Sequence, residues 1–98
     1  MPTPLRVVYL SAALEGYKQA LWSAAYLGRE EHILLVGKKI DDGLRTTPRE
    51  FGDPWFSMKH LSLDIFHRMM SPLSVTYGVH QDLPIVFVQK IKDVSPLV

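Results

Sequence analysis

The sequence predicts an α+β domain in the order β-α-α-β-β-β, with a helical hairpin packed on one face of a mainly antiparallel sheet. Three observations carry that expectation. A short β-branched and aromatic run, Leu5 to Leu10, precedes two segments whose apolar residues recur at helical spacing. Three runs of period-two alternation follow, beginning at His60. The connections between those runs, Ser71-Pro72 and Gln81 to Pro84, are short enough for hairpins.

Bulk composition bounds the rest. The 98 residues make one domain, 1–98, long enough to bury a single core without staples. Hydrophobic residues are 47% and charged residues 21% of the chain, a globular rather than a disordered balance. The absence of cysteine excludes a disulfide framework and thiolate metal ligation, and fits a reducing cytoplasm. The start, MPTPLRVVYL, has one arginine and only a short apolar run, unlike a signal peptide. No apolar stretch approaches the roughly 20 residues of a spanning helix. A formal net charge of +1 argues for weak polyanion binding by the chain as a whole.

The first element, LRVVYL, reads as a strand, with Pro2 and Pro4 ahead of it where a missing amide donor does least harm. Ser11 then offers a helix cap. Leu14, Tyr17, Leu21, Ala24 and Ala25 form the apolar side of the helix, and Gly28 stands where a terminating glycine belongs. Gly16 weakens its first turn by about 0.5–1 kcal/mol relative to alanine. REEHILLVGKKIDDGL reads as a second helix on three counts. Glu30 and Glu31 lead it, Lys38 and Lys39 come later, and Ile33, Val36, Ile40 and Leu44 make a stripe.

The stretch PREFGDPWFSMKHL, Pro48 to Leu61, carries Phe51, Trp55, Phe56 and Met58 among turn residues. It reads as the crossing from the second helix to the sheet, its aromatics plugging an end of the helix–sheet sandwich. In the strand runs beyond it, Leu61, Leu63, Ile65, Val75, Tyr77, Val79, Ile85 and Phe87 are expected beneath the helices.

The opposite face would then show His60, Ser62, Asp64, Arg68, Ser74, Thr76, His80, Lys90 and Lys92. Such a polar, partly basic face suits a phosphate-bearing ligand, and is equally what a half-solvated antiparallel sheet displays. His67 beside Arg68 offers a proton carrier next to a phosphate clamp. His60 and His67, seven apart on one strand, would face opposite ways, so no metal site is expected. No glycine-rich phosphate loop or nucleophile elbow is present, and no cofactor is expected.

The element order, together with P-x-x-F-G-x-P from Pro48 to Pro54, LSVTYGV from Leu73 to Val79 and IVFVQKI from Ile85 to Ile91, resembles the RelE/ParE superfamily of bacterial toxins. The resemblance spans about residues 5 to 94. It implies one of several activities. RelE-type members are ribosome-dependent ribonucleases that cut messenger RNA through attack by a ribose 2′-hydroxyl, using basic residues on the sheet face. ParE-type members poison DNA gyrase instead. Both are neutralised by an antitoxin.

Carried onto this chain, the resemblance makes His67, Arg68, Lys90 and Lys92 the catalytic candidates. His60, Asp64, Ser74, Thr76 and His80 become the substrate-binding candidates. An antitoxin and RNA or the ribosome are the implied partners, with no membrane. The chain departs from the pattern at Ser74, where an arginine is expected, and at Val94, which occupies the usual position of another. No tyrosine or histidine follows. The alternatives are a non-catalytic protein-binding module of the same fold and a gyrase-directed toxin.

Overall fold

The computed structural model describes residues 5–94, so Pro2 and Pro4 lie outside the described residues. Strand β1 (Arg6–Tyr9) runs directly into helix α1 (Ser11–Tyr26). Leu10, not Ser11, occupies the cap position, and no side chain bonds the free amides there. The other end of α1 closes as its glycine predicts. Gly28 takes a φ of +68°, its amide donates to the Ala25 carbonyl at 3.1 Å, and the Arg29 amide donates to Ala24 at 2.7 Å. This pairing satisfies two terminal carbonyls and turns the chain into helix α2 (Glu30–Thr46).

The two helices bury different kinds of face. In α2 the four residues of the stripe, Ile33, Val36, Ile40 and Leu44, are its buried residues. In α1 the buried residues are small, Ala13, Ala20 and Ala24, while Leu14 stays half exposed and Ala25 exposed. The reason is proximity to the sheet. A Cβ on Gly16 would sit 1.9 Å from the carbonyl oxygen of Ile91, so this side of α1 has no room for a large side chain.

PREFGDPWFSMKHL resolves into three pieces rather than a plain crossing. They are a single helical turn, α3 (Pro48–Phe51), a strand, β2 (Asp53–Met58), and a 3₁₀ turn (Lys59–Leu61). Ser62 follows in the left-handed region with φ 53°. Strands β3 (Leu63–Met70), β4 (Leu73–His80) and β5 (Ile85–Asp93) complete the chain. The sheet therefore has five strands, in the order β1-β5-β4-β3-β2, with β1 parallel to β5 and every other pair antiparallel. All three helices lie on one face.

Register assigns the faces. Leu73, Val75, Tyr77 and Val79 of β4 point to the helices, as alternation predicted, and all are buried. Phe66 pairs with Tyr77 and stacks on it with ring centroids 5.5 Å apart. The helix face of β3 is thus Asp64, Phe66, Arg68 and Met70, the reverse of the expected parity. The same reversal holds at the start of β5, where Val86 and Val88 fill the core and Ile85 and Phe87 do not.

Both strands carry apolar residues on each face, so alternation alone leaves their orientation undetermined; the stacking of Phe66 on Tyr77 decides it for β3. Leu63 and Ile65 are nonetheless buried on the far face, because Gly78 opposite Ile65 leaves space for both side chains.

Only one of the aromatics in the Pro48–Leu61 stretch plugs the sandwich. Phe51 is half-buried against the core and tilts toward Tyr77 at 6.4 Å. Trp55 and Phe56 are each 56% exposed, contrary to the expected burial.

Candidate functional site

Among the described residues no α-helix packs on the far face of the sheet, where Leu63 and Ile65 are nonetheless buried, and the register divides it into rows. One row runs Phe56, Ile65, Gly78, Phe87 and is apolar. The next runs Asp53, His67, Thr76, Lys90, and beyond it lie Met69, Ser74 and Lys92. The sheet therefore has an apolar half and a polar, basic half on its open side. With strands about 4.8 Å apart, His67 and Lys90 are separated by roughly 10 Å of backbone, with the Thr76 hydroxyl between them.

Two irregularities shape this corner. The β2–β3 register shifts between Pro54 and Phe56, leaving Trp55 as the extra residue of a bulge. A bulge re-aims a side chain. Here it brings two consecutive aromatics to the open side, and the Trp55 indole stacks on the His67 ring at 4.6 Å with 9° between the planes. A second shift, between Thr76 and Tyr77, comes where β5 turns basic. Among the described residues the ion pairs are Arg45–Asp41 and Arg49–Asp64, so Lys90 and Lys92 have no carboxylate partner.

The remaining candidates sit elsewhere. Arg68 is on the helix side of β3, where it lies 5.1 Å above the Phe51 ring and donates to the Phe51 carbonyl at 3.1 Å. Successive strand residues point oppositely, so His67 and Arg68 cannot clamp one phosphate between them. Asp64 is also on the helix side, accepting from Ser57, Arg49 and Gln81. Those three donors hold its carboxyl at about 2.

His80 shares the open side but is engaged at the turn, where Nδ1 accepts from the amides of Asp82 and Leu83 at 3.1 and 3.0 Å. His60 lies in the 3₁₀ turn and Ser62 in the left-handed bend, neither in a strand. The basic half of the open face thus brings together His67, Lys90, Lys92, Ser74 and Thr76; His80 is on the same face but at the turn, and His60, Asp64 and Arg68 are not on it.

Sequence reasoning missed Asp53 and Trp55. The available signal was the aromatic pair directly after Asp-Pro, a pattern compatible with a bulged edge strand. No group of three or more histidines or carboxylates that could hold a metal occurs among the described residues.

A second constellation lies on the helix side. Tyr9 donates to Asp41 at 2.5 Å and Arg45 donates to the other carboxylate oxygen at 2.7 Å. Burial works to raise the Asp41 carboxyl, but the hydrogen bonds from Arg45 and Tyr9 outweigh it and the net shift is downward. Burial and the Asp41 hydrogen bond push the Tyr9 hydroxyl well above the ordinary phenol range. This network ties β1 to α2 at the rim of a cavity of about 210 Å³ that Tyr17, Ile40 and Ile91 also line.

No family model matches the sequence, and no curated protein matches it. Solved structures do match. A chain in the toxin–antitoxin complex RelBE2 of Mycobacterium tuberculosis aligns over 97% of this chain and 98% of its own, with TM-score 0.66 and 10% identity. A chain in the archaeal RelE–RelB complex of Pyrococcus horikoshii OT3 aligns over 96% of this chain and 99% of its own, with TM-score 0.67 and 18% identity. No helix among the described residues is long and apolar enough to cross a membrane. In fold, from β1 to the end of β5, this chain is RelE-like.

Proposed function

We propose that this chain is a RelE-like toxin component of a toxin–antitoxin pair. In this reading it acts in the cytoplasm as a messenger-RNA endoribonuclease through the basic half of its open sheet face. The observation that supports this reading is the row His67, Thr76, Lys90 with Lys92 beside it, on a face that no α-helix among the described residues covers. Both solved neighbours are complexes of RelE with RelB, which supports an antitoxin as the resting partner of this chain.

In this reading Lys90 and Lys92 hold the non-bridging oxygens of the scissile phosphate, where charge builds in the transition state. His67 accepts the proton of the ribose 2′-hydroxyl as the 2′-oxygen attacks phosphorus. The bond to the 5′-oxygen breaks and that oxygen takes a proton from water. The products are a 2′,3′-cyclic phosphate and a 5′-hydroxyl end. Ser74 and Thr76 supply neutral hydroxyls to the backbone. Arg68 has no part in it, being committed to Phe51.

Controlled expression in a bacterial host, with growth followed and RNA ends mapped together, tests the proposal. Growth arrest with new 5′-hydroxyl ends, lost in His67→Ala and kept in Arg68→Ala, supports it. Serine at position 74, where the resemblance expects arginine, favours a second reading. Arrest without cleavage would turn the proposal toward gyrase or another protein target, and normal growth with folded protein toward a binding module.

A further inference from the structure

We propose that Trp55, backed by His67, is a stacking platform for one base of a single-stranded RNA whose backbone crosses the open face toward Lys90 and Lys92. This deepens the RNA reading above and rests on it.

The geometry of the pair carries the inference. One face of the indole is occupied by the parallel His67 ring, which holds the tryptophan in a fixed plane. The side chain is still 56% exposed, leaving surface on which a flat ring can extend the stack. The bulge at Trp55 is the local distortion that brings the ring there. A tryptophan serving only the core would be buried against the helices, as Tyr77 and Phe66 are.

The neighbours of the pair select the ligand. Behind the stack the row continues through Thr76 to Lys90, with Ser74 and Lys92 beside it. An aromatic platform followed by hydroxyls and by cations with no carboxylate partner among the described residues matches a nucleotide in order: base, then sugar, then phosphate. Single strands are bound this way, by aromatic stacking beside a basic track. A duplex hides its base faces and cannot use the indole. A protein partner's apolar side chain would cover Trp55 but leave the two lysines without a counter-charge.

Trp22 supplies the contrast. It is 80% exposed on α1, in the helix layer opposite the open face, and no ring stacks against it among the described residues.

The sequence contains two tryptophans, so Trp22→Phe leaves Trp55 as the sole indole reporter. The experiment is a titration of that protein, at low salt, with single-stranded oligoadenylate RNA of about ten nucleotides, a length within the usual site size. Saturable quenching of Trp55 emission is expected, and a duplex of the same length should not produce it. In the anisotropy of a labelled oligonucleotide, Trp55→Leu should weaken binding about tenfold, and Trp55→Tyr should restore most of it.

Binding without quenching, unaffected by Trp55→Leu, would overturn the platform while leaving the RNA reading intact. Equal quenching by duplex would also overturn it. Failure to bind either RNA would remove the platform and the RNA reading together. Trp55→Tyr keeps an aromatic at the bulge, so the comparison survives if Trp55→Leu fails to fold.

Discussion

The hydroxyl of Tyr77, a residue with no exposed surface, donates to the carbonyl oxygen of Pro48 at 2.5 Å. That bond fastens α3 to the core over the central strand β4, where Tyr77 is already held between Phe66 and Phe51. It also fixes where β2 starts, because Gly52 sits directly over the phenol: a Cβ there would lie 2.6 Å from the Tyr77 oxygen. The position of the exposed edge strand therefore depends on a buried tyrosine.

Tyr77→Phe should cost about 1–3 kcal/mol, since it leaves a buried carbonyl without its donor. Tyr77→Ala should cost about 3–5 kcal/mol, the usual loss for a large buried aromatic. Urea denaturation measures both. Burial raises the Tyr77 hydroxyl to about 12. The folded state thus favours the neutral phenol, and that contribution is complete below the ordinary value near 10. It should fade as pH rises from about 10 to about 12, and the melting temperature of Tyr77→Phe should fall less steeply over that window.

Asp64 sets the opposite limit. Hydrogen bonds from Ser57, Arg49 and Gln81 hold its carboxyl at about 2, below the ordinary aspartate value near 4. A group depressed on folding stabilises above its unfolded value and loses that contribution as it becomes protonated. Thermal stability should therefore fall as pH drops from about 4 to about 2. Asp64→Asn should be less stable at neutral pH and flatter across that range. An unchanged slope would mean that the three donors do not favour the ionised form.

Gly16→Ala tests the close approach of α1 to β5. Helix propensity alone predicts a gain of about 1 kcal/mol for this change. The added Cβ would meet the Ile91 carbonyl at 1.9 Å, and backbone cannot move aside as a flexible side chain can. A net loss of about 1–3 kcal/mol, the range for overpacking, is expected by chemical denaturation. A net gain would show that α1 can lift from the sheet without penalty.

These positions also show why parts of the fold were legible and parts were not. The α2 stripe is readable because Ile33, Val36, Ile40 and Leu44 recur at helical spacing with Lys38, Lys39, Asp41 and Asp42 on the other sides, although Leu34 and Leu35 also stand exposed there. Gly28 was readable because a positive φ at a helix end is a glycine property. β4 was readable because Ser74 and Thr76 separate its large residues.

In β3, by contrast, Ile65 and Phe66 are adjacent and both buried, on opposite faces, so alternation holds two solutions. The choice between them depends on Tyr77, a neighbour in the sheet and not in the chain. The site suffered from the same ambiguity. Ser74 and Thr76 take the open side as the β4 alternation predicts, whereas Lys90 and Lys92 take it because the register shift between Thr76 and Tyr77 restores the parity that is reversed at the start of β5. Arg68 was exchanged for His67 by the reversed parity of β3, and β2 escaped notice because Pro54 and Asp53 disguise an edge strand as a turn.

The last prediction separates the two faces by charge. Binding of single-stranded RNA releases counterions, and the logarithm of affinity falls with the logarithm of salt by about 0.7 for each phosphate neutralised. Lys90 and Lys92 lie on the open face with no carboxylate partner among the described residues, so Lys90→Ala and Lys92→Ala should each reduce the slope by about that amount. Arg68→Ala should leave the slope unchanged, because the guanidinium is on the helix side over Phe51. A titration of labelled oligonucleotide at several salt concentrations reads all three variants. A slope that dropped with Arg68 and not with the lysines would transfer the RNA to the helix side of β3, where the register leaves no room for His67 to act.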